Sequence, residues 1–272
     1  MTVVVFDVET HLIRGGLLAP KLVCVSRTTP QGVELEDRDA GLAWFRRAIV
    51  DPSLILVGHN VPFDLGVLCA EDPDLIAPVF NAIDAGRVRD TLLRERLIDL
   101  CKGELKRDAG RGKPGPYSLA GIAERRLGVR LDKGANTWRL RYAELDGIPI
   151  TWWPPEARKY ACDDSTTTLR VYEAQDVEAG EPIPDEIPQV RASWALHLLS
   201  SWGVRTDAAA VRALRKALEA ERDAVFGDAK AAGLVRPDGT RDLKAIRARL
   251  AGAHIDVLKA LELEAQGLSA DA

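Results

Sequence analysis

The sequence predicts an α/β fold, a mixed β-sheet flanked by helices, followed by a helical C-terminal extension. Apolar and β-branched runs at 2–6, 22–26 and 53–57 have the length and composition of strands. Stretches with helical periodicity lie between and after these runs. Beyond residue 188 the pattern is helical throughout, which places all the predicted strands in the first part of the chain.

Five helices are predicted in this first part. Asp39, Asp90 and Ser118 are suited to N-cap positions, because their side-chain oxygens can accept hydrogen bonds from the first helical N–H groups. The other two helices begin at prolines, which are favoured in the first turn. The predicted helices run over 39–50, from 62 onward, over 91–100, over 118–127 and from 154 to about 174.

The composition changes at 180–188, where prolines and glycines alternate with acidic residues. Such a segment is typical of a linker. We therefore predict a first domain at 1–178, a linker at 179–188 and a helical extension at 189–272.

The bulk composition excludes several classes of protein. The 272 residues are 46% hydrophobic and 29% charged, as in ordinary globular proteins. No apolar run is long enough to span a membrane, and the N-terminus does not resemble a signal peptide, so no membrane partner is expected. The four cysteines lack CxxC spacing and the four histidines are dispersed, which argues against zinc and disulfides. We expect a cytoplasmic protein, or one of the host cytoplasm if it is viral.

The charge is unevenly distributed. The segment 102–141 has eleven Lys and Arg residues against four Asp and Glu, a local charge of +7 in a chain of net charge −4. Such a segment could hold the phosphates of a nucleic acid, or it could be a solvated loop and helix.

Acidic residues occur at three places where strands end or helices begin. Asp7 and Glu9 are two apart at the end of the first strand, so their side chains lie on one face. Asp64 follows a later strand, at a strand-to-helix junction that also contains Asn60. Tyr160 and Asp164 are four apart on a helix and share a face.

Four carboxylates that converge in one pocket repel each other, and divalent cations would compensate their charge. Oxygen ligands alone favour Mg²⁺ or Mn²⁺ over zinc. Two such ions can stabilise the attacking and leaving oxygens of a phosphoryl displacement.

Together, the D-x-E, N-x-x-x-D and Y-x-x-x-D patterns resemble the three exonuclease motifs of the DEDD superfamily, which has a ribonuclease-H-like fold. The tyrosine matches the DEDDy branch, and the stretches around Asp7, Asp90 and Tyr160 look like the proofreading domain of family A (Pol I-type) DNA polymerases. The resemblance covers about residues 1–178. It implies a 3′→5′ exonuclease that uses two Mg²⁺ or Mn²⁺ ions and acts on single-stranded DNA 3′ ends.

The resemblance also implies residue roles. Asp7 would bridge both metals, Glu9 and Asp164 would hold the first, and Asp64 the second. Tyr160 would orient the attacking water.

Substrate contacts are implied in the same way. Thr10 and Asn60 would touch the terminal nucleotide, Phe63 would pack on it, and Ile13 would lie between the last bases. Packing alone is the alternative for Thr10, Phe63 and Ile13, and helix capping is the alternative for Asn60.

Residues 187–232 resemble the helical start of a family A polymerase domain, but no palm or fingers motif follows. The sequence leaves three interpretations open: the chain could be a free-standing exonuclease, a truncated polymerase, or an exonuclease that binds a separate polymerase. An exoribonuclease of the ribonuclease D type and a catalytically silent nucleic-acid-binding module are the alternative functions.

Overall fold

The computed structural model describes residues 1–106, 115–131, 134, 137–179, 183–203 and 205–252. Parts of the predicted basic segment and linker, and the end of the predicted extension, lie outside these residues. Within the described part, no helix is both long and apolar enough to cross a membrane.

A mixed five-stranded sheet forms the centre of the fold, as predicted. Its strand order is β3-β2-β1-β4-β5, with β1–β2 and β2–β3 antiparallel and β1–β4 and β4–β5 parallel. The strands are β1 (Thr2–Thr10), β2 (Leu22–Thr29), β3 (Gly32–Asp37), β4 (Leu54–Gly58) and β5 (Val88–Asp90). The sequence predicted β1, β2 and β4, but β3 and β5 were not predicted.

Among the described residues up to 179, the α-helices are α1 (Arg38–Ala48), α2 (Val61–Glu71), α3 (Ile76–Asp84), α4 (Thr91–Lys102), α5 (Leu119–Leu127) and α6 (Pro155–Ala179). Asp90 and Ser118 are the N-caps of α4 and α5, as predicted, and both accept a backbone hydrogen bond. The N-cap of α1 is Asp37 rather than Asp39, because the Asp37 side chain accepts from the Ala40 N–H.

The alternation of side chains along β1 separates the two faces of the sheet. Val4, Phe6 and Val8 lie in the main hydrophobic core with α1, α2 and α3. Val5 points to the other face, where it packs with Leu169 of α6. Since alternate residues of a strand share a face, Asp7 and Glu9 lie on the same side as α6.

Two compact units divide the chain, Met1–Gly203 and Val204–Ala272. The first includes α7 (Glu186–Trp202), which the sequence assigned to the extension that begins at 189. The predicted boundary is therefore displaced. The reason is packing: Val190, Trp194 and Leu198 of α7 are buried in the main core.

A buried ion pair also holds α7 in the first unit. Arg94 of α4 is fully buried and donates to both carboxylate oxygens of Glu186, at 3.0 and 2.9 Å. Arg89 of β5 lies 3.5 Å from the same carboxylate. Breaking such a pair costs about 3–5 kcal/mol, so the start of α7 is firmly anchored.

The second unit contains α8 (Ala208–Ala231), whose N-cap, Asp207, accepts from the N–H groups of Ala209 and Ala210. An isolated bridge pairs Val235 with Arg241.

Candidate active site

The carboxylates of Asp7 and Glu9 lie at the carboxyl end of β1, facing α6. Val8, between them, is buried in the main core. Glu9 is 8% exposed and Asp7 is partly buried, so both groups are largely withdrawn from solvent. A desolvated acidic pair needs a compensating positive charge.

Tyr160 and Asp164 face the same site from one side of α6. Ala157 and Ala161, on the inner face of α6, are fully buried against β2, which fixes the rotation of the helix. The neighbouring acid, Asp163, points away and forms an ion pair with Lys159 on the exposed surface. Adjacent residues of a helix point about 100° apart, so Asp163 and Asp164 cannot serve one site equally.

Three of the acids form a compact group that fits a hard cation. One carboxylate oxygen each from Asp7, Glu9 and Asp164 lies within 4.8 Å of the other two. In an octahedral Mg²⁺ site with ~2.1 Å bonds, ligand oxygens are about 2.9–4.2 Å apart. The three oxygens therefore need only small side-chain shifts to bind one ion.

Asp64 lies beside this group but is held separately. Its Oδ1 accepts a hydrogen bond of 3.1 Å from the backbone N–H of Val8, which ties the first turn of α2 to β1. Burial, followed by the negative charge of Asp7, raises the pKa of Asp64 well above its ordinary value. A divalent cation would oppose both effects by stabilising the ionised form.

A cavity of about 450 Å³ contains the four acids and Tyr160. Of the predicted substrate contacts, Thr10, Ile13 and Phe63 line this cavity. Asn60 does not belong to its lining. Asn60 is the N-cap residue of α2, as the capping alternative proposed, but its backbone is left-handed, with φ 58°, and its exposed side chain makes no capping hydrogen bond.

Sequence reasoning missed several residues of the cavity wall. They are His11, Leu12, His59, Arg139 and Leu140. His11 and Leu12 directly follow the D-x-E-T stretch, and His59 precedes Asn60. Their proximity to the motifs in the sequence could have indicated that they line the site. Arg139 belongs to the predicted basic segment, but nothing in its local sequence distinguished it from the other cations.

Asp146 braces the segment that carries Arg139 and Leu140 against the sheet. It accepts hydrogen bonds from Lys21 at 2.7 Å and His11 at 2.8 Å, and it pairs with Arg38. Burial acts to raise the pKa of Asp146, but the hydrogen bonds from Lys21 and His11 and the charge of Arg38 outweigh it and lower this pKa to about 2.

This brace predicts a specific acid sensitivity. A carboxyl whose pKa falls on folding stabilises the protein above its unfolded pKa of ~3.9 and loses that effect as the pH falls toward its folded value. Asp146→Asn should therefore lower the urea midpoint by a constant amount between about pH 5 and 7, and the difference from wild type should shrink below about pH 4. An unchanged difference down to pH 3 would mean that the Asp146 charge does not brace the segment.

The fold and the site define the class of protein. A mixed sheet with carboxylates at the end of its central strand, faced by an acid and a tyrosine on a helix, is the arrangement of a ribonuclease-H-like nuclease. Residues 1–175 match the family model described as 3′-5′ exonuclease. The chain therefore belongs to this exonuclease family, within the DEDD superfamily.

One solved structure shows the same fold at low sequence identity. RNase D of Escherichia coli, an exoribonuclease, is 20% identical with a TM-score of 0.51, over 75% of this chain. The match spans 46% of RNase D, less than half of its length. NrnC of Brucella melitensis, bound to pGG, is 17% identical with a TM-score of 0.48, over 74% of this chain and 83% of NrnC. No curated protein matches the sequence.

Proposed function

We propose that this 3′→5′ exonuclease degrades DNA from single-stranded 3′ ends and releases nucleoside 5′-monophosphates. The observation that carries the proposal is the convergence of Asp7, Glu9, Asp64 and Asp164 with Tyr160 in one cavity. The preference for DNA is supported by the resemblance of the motifs and of residues 187–232 to family A polymerases.

The acids would hold two Mg²⁺ or Mn²⁺ ions. Asp7 would bridge them, with Glu9 and Asp164 on the first ion and Asp64 on the second. When bound, the ions supply positive charge that stabilises the attacking and leaving oxygens of an in-line displacement. The buried Val8 N–H fixes the orientation of Asp64, so this ligand is positioned before metal or substrate arrives.

Tyr160 would orient the attacking water. A phenol of ordinary pKa ~10 is protonated at neutral pH and cannot take a proton from water, so its contribution is a hydrogen bond. Its ring packs 6.3 Å, centre to centre, from that of Tyr142, which is fully buried and limits the movement of Tyr160.

Tyr160→Phe should therefore slow digestion about 10- to 100-fold, consistent with the loss of one orienting hydrogen bond, and should leave Mn²⁺ affinity unchanged. Isothermal titration with Mn²⁺ and single-turnover digestion measure the two effects. Wild-type turnover in the variant would exclude this role.

Arg139 is placed to balance the charge of the substrate. Two divalent cations would neutralise the four carboxylates, which leaves the Arg139 guanidinium for a phosphate of the strand. Among the described cations of the basic segment, Arg125 and Arg126 pair with Glu95, and Arg141 pairs with Glu144.

Arg139→Ala should weaken strand binding about tenfold or more and reduce the slope of log affinity against log salt by ~0.7, the value for one phosphate contact on a single strand. Arg141→Ala is the matched control, because Arg141 lies over the Trp138 ring and outside the cavity lining. If the two substitutions weakened binding equally, the effect would be due to the loss of one positive charge and not to a phosphate contact of Arg139.

The function is tested with single strands of DNA and RNA labelled at either end, in Mg²⁺, Mn²⁺ or EDTA. We expect 5′-labelled DNA to shorten stepwise only with metal, and 3′-labelled DNA to release labelled mononucleotide in the first step. Internal cuts would contradict exonuclease action. If RNA were digested faster than DNA, the protein would be an exoribonuclease, as in the ribonuclease D alternative.

Residues 187–232, which include most of α7 of the first unit, resemble the start of a family A polymerase domain, and a polymerase is therefore a candidate partner. Addition of a family A polymerase domain during gel filtration tests this association, and separate elution would argue against it.

A further inference from the structure

A second cavity, of about 270 Å³, adjoins the catalytic cavity. One side is the β1–β2 connection, which contributes Ile13, Leu17 and Leu18, all more than half exposed. The other side is the last two turns of α7, which contribute His197 and Ser200. These apolar side chains are exposed at the rim of a cavity rather than scattered over the surface.

The two cavities share a wall. Ile13 and Phe63 line both of them. Phe63 is also packed against the main core, so its position is fixed. The second cavity is therefore within reach of a strand whose 3′ end lies among the carboxylates.

The α7 side of this cavity is rigid. A Cβ at Gly66 of α2 would lie 2.2 Å from His197 Nε2, so the imidazole packs directly against the α2 backbone. On its other side, the ring stacks on Trp194, with centres 5.9 Å apart and planes 13° apart. Burial lowers the pKa of His197, so the ring is neutral near pH 7 and its edge carries one donor and one acceptor.

From this arrangement we infer that the second cavity is a subsite for one unpaired base of the substrate strand, upstream of the nucleotide that is removed. Its volume is slightly below the ~300–1,000 Å³ typical of sites for drug-sized ligands, which suits a single nucleotide base. Leu17 and Leu18 supply apolar surface for the base, Ser200 supplies a polar edge, and Arg14, at the rim, supplies a charge for a phosphate.

The inference rests on the proposed function and deepens it. It also gives α7 a substrate-binding role, although this helix lies beyond residues 1–175, the part that matches the exonuclease family. Residues 1–175 alone would therefore lack α7, which forms one side of the proposed base-binding cavity.

The experiment fills the cavity and varies the length of the strand. Ser200→Trp places an indole in the cavity from an exposed position of α7, so folding should be preserved. Leu199→Trp is the matched control, because Leu199 is the next residue, is 63% exposed and lies outside the cavity. Binding of 5′-fluorescein-labelled di- and hexanucleotides of DNA is measured by anisotropy with Ca²⁺ in place of Mg²⁺, and gels verify that the strands stay intact.

Wild type should bind the hexanucleotide more tightly than the dinucleotide. Ser200→Trp should lose about 5- to 150-fold in hexanucleotide affinity, the range expected for one stacked base at ~1–3 kcal/mol, and should bind the dinucleotide normally. Leu17 is 57% exposed. Leu17→Ser should also weaken hexanucleotide binding and leave dinucleotide binding unchanged, but the loss of affinity should be smaller than in Ser200→Trp.

Wild-type affinities of Ser200→Trp at both lengths would overturn the inference, as would equal losses in Ser200→Trp and Leu199→Trp. The proposed function fails in a different way. If wild type digests no strand in Mg²⁺ or Mn²⁺, the exonuclease proposal is wrong. If it digests DNA while Ser200→Trp keeps full hexanucleotide affinity, only the subsite is wrong.

Discussion

Asp7→Ala and Asp164→Ala should each abolish digestion, with a loss of about a thousandfold or more. Each substitution removes one of the three oxygens that lie within 4.8 Å of one another. Metal ions contribute several kcal/mol of transition-state stabilisation in such sites, and each ~1.4 kcal/mol is tenfold in rate. Single-turnover digestion of 5′-labelled DNA measures the rate, and titration with Mn²⁺ measures ion binding.

Asp163→Ala is the control for this prediction. Asp163 is adjacent to Asp164 in sequence and has the same chemistry, but it pairs with Lys159 on the exposed side of α6. It should retain wild-type activity and Mn²⁺ affinity. If Asp163→Ala were inactive and Asp164→Ala active, the assignment of the third motif would be off by one residue.

The central part of the fold was predictable because its sequence signals are local. The β-branched run of β1 alternates between two buried faces, and this alternation predicts that Asp7 and Glu9 share a side. The spacing of Tyr160 and Asp164 likewise predicts one face of α6. Both pairs line the same cavity, although 153 residues separate Asp7 from Tyr160.

The missed strands lack such signals. β3 is an edge strand without a buried residue, and its acidic side chains mask its strand character. It is stabilised through β2, where Arg27 pairs with both Glu34 and Glu36. β5 has three residues, too few to show a period, and is defined by its parallel pairing with β4.

Some contacts of Asp90 could not be predicted either. The sequence indicates an N-cap, and Asp90 does accept from the Leu92 N–H. It also accepts from the N–H groups of Asn60 and Val61, at 3.0 and 3.1 Å, so one carboxylate stabilises the starts of both α2 and α4. This second role depends on β4 and β5 being neighbours, which is a property of the tertiary fold.

The position of α7 is the largest difference between the predicted and observed organisation. Prolines, glycines and acids before residue 189 indicated a flexible connection to a separate extension. Composition does not show that Glu186 meets a fully buried arginine 92 residues earlier in the chain. It also does not show which of the two tryptophans of α7 is buried.

These two tryptophans give the second large prediction. Trp194 is fully buried, and its ring packs 6.1 Å, centre to centre, from that of Phe80. Trp194→Ala should lower the free energy of unfolding by about 3–5 kcal/mol, the usual cost of deleting a large aromatic side chain from a core. Trp202, on the same helix, is 58% exposed, so Trp202→Ala should cost less than about 1 kcal/mol.

Urea unfolding followed by far-UV circular dichroism measures both variants against wild type. A large loss of stability in Trp194→Ala alone would show that α7 is part of the nuclease core. Small and equal effects would instead support the boundary that composition suggested, with the exonuclease stable without this helix. The subsite inferred above depends on the same packing, because His197 is held between Trp194 and Gly66. Trp194→Ala should therefore also weaken hexanucleotide binding more than dinucleotide binding, under conditions where the variant remains folded.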